Sequence, residues 1–512
     1  MPTKERTDER RTRRRRKAAP EASVPAAPYV QRRIGVFTLL DEEGLALIER
    51  NADLILAEIG MEFREDPECL AIFREAGCRV EGERVRFEPG FCRQTIQASA
   101  PHSFVQRARN PERSVMIGGR NSLFCPSFGP PFVHDMEQGR RYATIEDFRK
   151  VTKLHHALDQ LHHSGGVVCE PTDLPVEERH LAMLHAHLTL NDKPFMGAVT
   201  APERAEDTLA MTEIVLGKEA MAQDCCLYSV VNSNAPLVLD ATMLGALKVY
   251  ARAGQCVVVS PFILAGAMSP VTVAGTLAQL LAEAMAGLAL IQLIRPGCPC
   301  VFGTFSSPIS LLTGAPTFGT PEGMQIQMCA SALARRLGVP FHSVGALTAS
   351  KVPDAQAAYE SAMQLTGAFL AGVNFIIHAT GCLEGLLTLG YEKIVMDADR
   401  CGALAAFAQN VDLSEEAQAL DAIREVGPGN HFLGSSHTLK HFRSAFFMPD
   451  LSDNATYEQW SAEGGLWQHE RATRRWKQLL ADYEEPPMAS DRREALDDYV
   501  ARRLREIRAT LH

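Results

Sequence analysis

The chain folds as an α/β (β/α)8 barrel with an N-terminal helical/β extension and C-terminal helices. Two observations predict this. From about residue 120, short apolar runs rich in β-branched and aromatic residues alternate with helical stretches, and there are eight such runs. Runs that are apolar on both faces fit a parallel sheet covered on both sides, and eight is the number that closes a barrel. A third observation is an absence. Neither G-x-G-x-x-G nor a P-loop follows any run, as a nucleotide-binding open sheet often shows.

The eight runs are LFCPSFG (123–129), LHHSGGVVCEP (161–171), PFMGAVTAP (194–202), LYSVVNSNAP (227–236), CVVVSPFILAG (256–266), PCVFGTFSSP (299–308), PFHSVGALT (340–348) and NFIIHATGC (374–382). Helical spacing of apolar residues predicts helices over 202–216, 241–253, 270–294, 320–337 and 354–371. The helix near 271–294 is the most apolar, but Glu283 and Gln292 interrupt it, so it reads as a core helix and not as a membrane span. Before the barrel, residues 40–78 read as helices, and CRVEGERVRFEPG alternates as a short β piece. After it, HERATRRWKQLLADYEE reads as a long polar helix and DRREALDDYVARRLREIRA as a final amphipathic one, with Asp491 and Glu494 as a capping box. The resulting division is 1–34 as a disordered basic tail, 35–119 as the extension, 120–412 as the barrel and 413–512 as a C-terminal loop and helical extension.

The formal net charge is −10. Residues 4–17 carry a net +6, so the body is more acidic than the total suggests, which argues against nucleic acid as a partner. The basic tail is interrupted by acids and followed by no apolar segment, unlike a secretory or transit signal. Thirteen cysteines are scattered without a C-x-x-C pair, which indicates a reducing, cytoplasmic setting.

In a barrel of this kind chemistry sits at the C-terminal ends of the strands. Those ends offer Cys125, Ser127, Cys169, Glu170, Thr200, Asn232, Asn234, Ser260, Thr304, Ser306, His342, Thr348 and His378, with Glu384 just beyond. The set is polar and mostly uncharged. It lacks the facing carboxylates of glycoside hydrolysis and a strand lysine for Schiff-base chemistry. Aromatic residues gather in the same places: Phe124, Phe128, Phe132, Tyr228, Phe262, Phe302 and Phe305. Aromatic faces attract quaternary ammonium groups. The pairs His155-His156 and His162-His163 do not read as chelates, because strand neighbours point to opposite faces. No local spacing gives the three ligands of a catalytic zinc site. His431, His437 and His441 in VGPGNHFLGSSHTLKHFR (426–443) look like ligands at first. Gly427, Pro428 and Gly429 make that stretch a turn, HTLKHF starts a short helix, and the whole reads as a return segment able to lie across a barrel mouth.

GRRYATIEDFRKVTKLHHAL, SKVPDAQAAYESA (350–362), GCLEGLLTLGYEKIVMDAD (381–399) and the 426–443 stretch resemble the trimethylamine methyltransferase family, over roughly residues 35–505. The resemblance implies a barrel that moves a methyl group from a methylated amine to the Co(I) of a corrinoid carried by a separate protein. Archaeal members use pyrrolysine. This chain has only standard residues and is similar to the branch that acts on quaternary, betaine-like amines. The resemblance assigns no roles residue by residue; among the strand-end residues, His378, Glu384 and His342 are the candidate catalytic residues for that chemistry. Phe124, Glu170, Tyr228, Asn232, Phe302 and Thr304 are candidates to bind the substrate, with Glu170 or Glu384 as the anion facing the cation. His431 and His437 are candidates to face the corrinoid partner. The expected partners are a corrinoid protein, a small quaternary amine and further copies of the chain, with no nucleic acid, membrane or metal. Trimethylamine as donor, a metal-assisted barrel enzyme and a non-catalytic betaine-binding protein are the alternatives.

Overall fold

The structure is a computed structural model, described over residues 27–510. Six parallel strands run side by side in the order Tyr228–Val231, Cys256–Val259, Cys300–Gly303, Phe341–Val344, Phe375–Ile377 and Asn121–Phe124. The remaining two staves are irregular, but they close the ring. His162 N–H donates to the Phe124 carbonyl (3.0 Å), Ser164 N–H to Pro194 (2.8 Å), Met196 N–H to Gly165 (2.9 Å) and Gly197 N–H to Tyr228 (3.1 Å). All eight apolar runs of the sequence are therefore staves of one barrel. The second stave departs from a regular strand around Gly165 and Gly166. There the His162 ring substitutes for a ladder partner, its Nδ1 accepting from Phe124 N–H at 2.9 Å.

Alternation within each strand splits the core in two. Tyr228, Val258, Val301, Val344, Phe375 and Ile377 fill the inside. Val257, Val259, Phe302, Phe341, Ile376 and Phe124 face the outer helices. His162 and His163 follow the same rule: His162 stacks on Phe124 outside, and His163 meets Phe375 inside.

The helices Pro202–Leu216, Ala241–Arg252, Val273–Ile294, Pro321–Leu337 and Ala355–Ala371 occupy the expected positions. Val273–Ile294 is apolar all round because it is covered twice. Strands line one side, and the extension helices Glu42–Leu54, Pro67–Glu75 and Phe91–Ser99 cover the other. The extension also contains the expected hairpin, Arg79–Glu81 with Arg84–Arg86. Met61–Phe63 pairs antiparallel with Arg84–Arg86 and parallel with Val238–Leu239, which leads out of the fourth strand's loop.

The ends differ from expectation in three ways. Val30–Gln31, inside the expected tail, pairs antiparallel with the start of the first strand, while residues 1–26 lie outside the described residues. The last helix begins at Ser490, so Asp491 sits within its first turn and caps nothing. The segment leaving helix Tyr391–Phe407 does not cross the mouth. Ala408 accepts from Arg33 N–H beside the first strand's start, and Phe447 packs by Gly402 and Gln160, near the base of the second stave. The 426–443 stretch therefore sits toward the end of the barrel opposite the mouth.

Candidate active site at the barrel mouth

Inside the barrel an aromatic column forms the floor. Tyr228 stacks on Phe375 at 4.1 Å between ring centroids, and His342 stacks on the same ring at 5.2 Å. The Tyr228 hydroxyl and His342 Nδ1 are 2.9 Å apart. His163 is saturated: Gly165 N–H donates to its Nδ1, which leaves Nε2–H to donate to Gln106 Oε1 at 3.2 Å.

Above the floor, at the strand ends, stands His378. Its φ of +56° places it in the left-handed region, which costs a residue with a Cβ about 1–3 kcal/mol and marks a held position. Phe128 N–H donates to its Nδ1 (3.2 Å), so the ring proton is on Nε2, which makes no hydrogen bond among the described residues. Burial holds both His342 and His378 at about 3, against an ordinary 6.5, so both are neutral near pH 7.

Phe305 lies edge-on to His378 (5.7 Å) and to Phe318 (5.8 Å), and stacks with Phe262 at 4.9 Å. Phe262 and Phe305 lie on strands Phe262–Ala265 and Phe305–Pro308, a parallel pair that extends past the barrel proper. Both are half-exposed, so this group presents aromatic faces to the mouth. Phe128 reaches the mouth because residue 166 is glycine: a Cβ there would stand 2.7 Å from its ring. Thr304 Oγ1 and Ser306 Oγ are paired at 2.7 Å. The half-buried Asn232 side chain makes no hydrogen bond among the described residues.

Tyr228, Asn232, His342 and His378 thus gather in or just above the barrel lumen, and Thr304, two residues on from the outward-facing Phe302 and bonded to Ser306, does not. Nor do others of the sequence candidates. Phe124 and Phe302 are fully buried on the outer face, Phe124 against Phe369 and Phe302 against Phe341, so they are core residues. Glu170 pairs with Arg179 at 3.5 Å. Glu384 is held by Arg140 (2.6 Å) and Thr388 (2.7 Å), and Arg140 also lies over the Phe132 ring, so this carboxylate ties down a rim hairpin. His431 is exposed on the 426–443 stretch. His437 bonds the Glu416 carbonyl and borders a cleft of about 570 Å³ with Glu415, Glu416, Glu425 and Lys440, away from the mouth. Among the described residues no three His, Cys, Asp or Glu side chains converge as a metal set. Cys125 instead meets His163 at 3.7 Å, with burial pushing its thiol far up.

The sequence pattern of the family described as trimethylamine methyltransferase (MTTB) matches residues 6–508. The chain belongs to this family, and it is a methyltransferase. A glycine betaine methyltransferase of Desulfitobacterium hafniense is 40% identical over 472 residues, spanning 92% of this chain and 98% of the relative. The trimethylamine methyltransferase MttB of the same species is 28% identical, spanning 89% of this chain and 91% of that one. A proline betaine:corrinoid methyltransferase of Eubacterium limosum is 26% identical, spanning 87% and 93%.

Proposed function

We propose that this methyltransferase moves a methyl group from a quaternary, betaine-like amine to the Co(I) of a corrinoid held by a separate protein. One observation carries the substrate class: the mouth joins aromatic faces to histidines that are neutral at working pH. A quaternary nitrogen is already cationic and departs as a neutral amine, so it needs no proton from the enzyme. His342 and His378, held near 3, have none to give at pH 7. They can still donate hydrogen bonds as neutral rings, and with Asn232 they suit the carboxylate end of a betaine. Phe262 and Phe305 suit the cationic head.

When bound, the corrinoid supplies the nucleophile that accepts the methyl group. The rim suits such a group. Val271, Leu311 and Leu312 stand 65%, 72% and 98% exposed around the extended strand pair and would hold the apolar face of a large macrocycle or the protein around it. This chain's own residues then have three tasks: to hold the cation, to aim one methyl outward, and to keep water from the reacting carbon. Thirteen unpaired cysteines fit a reducing cytoplasm.

The test is a panel assay. The purified protein is incubated with cob(I)alamin and a set of quaternary and tertiary methylamines, and methylcobalamin formation is followed by absorbance. Turnover with at least one betaine is the expected result. Turnover with tertiary amines alone, or no turnover with any betaine, would overturn the substrate class.

A further inference from the structure

A cation-binding mouth needs a source of negative potential, and both carboxylates that the sequence suggests for it are already compensated, Glu384 by Arg140 and Glu170 by Arg179. Two other carboxylates beside the mouth are not. Glu283 is fully buried on helix Val273–Ile294 and accepts from Ser233 Oγ (2.5 Å), Leu237 N–H (2.9 Å) and Gln279 Nε2 (2.8 Å). Glu360, 8% exposed on helix Ala355–Ala371, accepts from Thr348 Oγ1 (2.5 Å), Ala349 N–H (2.8 Å) and Gln356 Nε2 (2.9 Å). Neither forms an ion pair among the described residues. Every partner of each donates, which is the surrounding an ionised carboxylate requires. Burial pushes the Glu283 carboxyl upward, and its three donors oppose that. A buried anion without a cation is costly, so a fold that keeps two of them at one mouth calls for a reason.

Their positions supply it. Glu283 pins the loop after the fourth strand, which carries Asn232 and also Asn234, whose backbone bridges to Phe262. Glu360 pins the loop after the seventh strand, and its methylenes lie where a Cβ on residue 319 would sit at 2.4 Å. The neighbour of Gly319 is Phe318, edge-on to Phe305. One carboxylate therefore backs the Phe262 end of the aromatic group, and the other backs the Phe318 end.

We propose that Glu283 and Glu360 are specificity-determining residues that make the aromatic group select a cationic head over an uncharged one of the same shape, acting from behind it without touching the substrate. Their field acts through protein of low dielectric, where charge is screened far less than in water. This rests on the quaternary-amine reading above.

The test compares two probes that differ in one atom, glycine betaine and its uncharged-head isostere 3,3-dimethylbutyrate. Their dissociation constants are measured by calorimetry on the full chain and on Glu283→Gln and Glu360→Gln. The wild type should prefer the betaine, and each glutamine should reduce that preference about tenfold while changing isostere affinity less than threefold. Ser233→Ala and Thr348→Val each remove a hydrogen bond but keep the charge, so their preference should stay within about twofold of wild type. A preference unmoved in the glutamine variants would overturn the proposal. So would a loss of preference of about tenfold in Ser233→Ala or Thr348→Val, a result that needs only variants that keep both acids. Failure of the quaternary-amine reading would register separately, as no methylcobalamin from any betaine with the wild-type protein, and would remove both.

Discussion

His155, His162, His342 and His378 are held at about 3 and His187 at about 4, in each case mainly by burial. In the unfolded chain each would titrate near 6.5. Between these limits the unfolded state binds more protons than the folded one, so stability rises with pH there. The contribution is complete above pH 6.5 and is lost as the pH falls toward 3. We expect a melting temperature that declines already between pH 6.5 and 5, before most carboxylates titrate. A profile flat down to pH 5 would count against buried neutral rings. The Tyr228–His342 contact gives a second expectation at this scale. A buried hydrogen bond of this kind is worth about 0.5–1.5 kcal/mol. Tyr228→Phe should therefore lower kcat/KM for methyl transfer roughly three- to tenfold, mostly through KM, with little change in far-ultraviolet circular dichroism.

Among the elements, the strands and helices were readable because each obeys a period. The helix limits fall within three residues of those read from apolar spacing. Which face each strand residue takes was not readable. Runs that are apolar on both sides carry no parity signal, and a shift of one residue exchanges the faces. Phe124 and Phe302, expected at the site, take the outer face, whereas Tyr228 lies inside. Phe318 follows no run and had no signal. Glu283 had one: a lone acid in an otherwise apolar helix, read only as an interruption. The 426–443 stretch carries three histidines, but composition could not say which end of the barrel it leaves from. That depends on where helix Tyr391–Phe407 ends, beside the first strand's start.

The paired strands Phe262–Ala265 and Phe305–Pro308 are an element whose shape had no counterpart in the reading of eight simple staves. They continue two staves beyond the barrel and carry the exposed apolar tip formed by Val271, Leu311 and Leu312. Isolated exposed apolar residues need no explanation, but a cluster at the rim of a reaction site marks a contact surface. Leu311→Asp with Leu312→Asp should raise KM for a corrinoid protein at least tenfold while turnover with free cob(I)alamin changes less than twofold. Equal loss in both assays would mean that the tip shapes the substrate site and not the docking of a partner.

At the level of the whole molecule, covered and uncovered surfaces are unevenly distributed. The two C-terminal helices are firmly anchored. In Gln468–Ala481, Trp476 and Thr473 both bond Glu392, and in Ser490–Thr510, Tyr499 and Arg503 converge on Asp207, whose carboxyl they hold well below the usual range with His180. The segment between helix Tyr391–Phe407 and these helices is different. Leu413, Leu433, Phe446 and Met448 are 75%, 80%, 80% and 76% exposed, with Phe442 and Leu439 beside them in sequence. A lone protomer rarely exposes so many large apolar side chains along one segment. The partner it fits is a permanent one, because permanent interfaces are the more apolar kind. A docking site for a carrier that must come and go each turnover would be more polar, and this segment leaves from the end of the barrel away from the mouth. We therefore expect assembly of identical chains through it. Phe446→Asp with Met448→Asp should lower the mass measured by sedimentation equilibrium to that of a smaller species. Turnover per chain with free cob(I)alamin should remain within about twofold, since the segment leaves from the end of the barrel away from the mouth. If the double variant keeps the wild-type mass, assembly runs through another surface. If mass and turnover fall together, the barrel needs its neighbours to hold the site in shape.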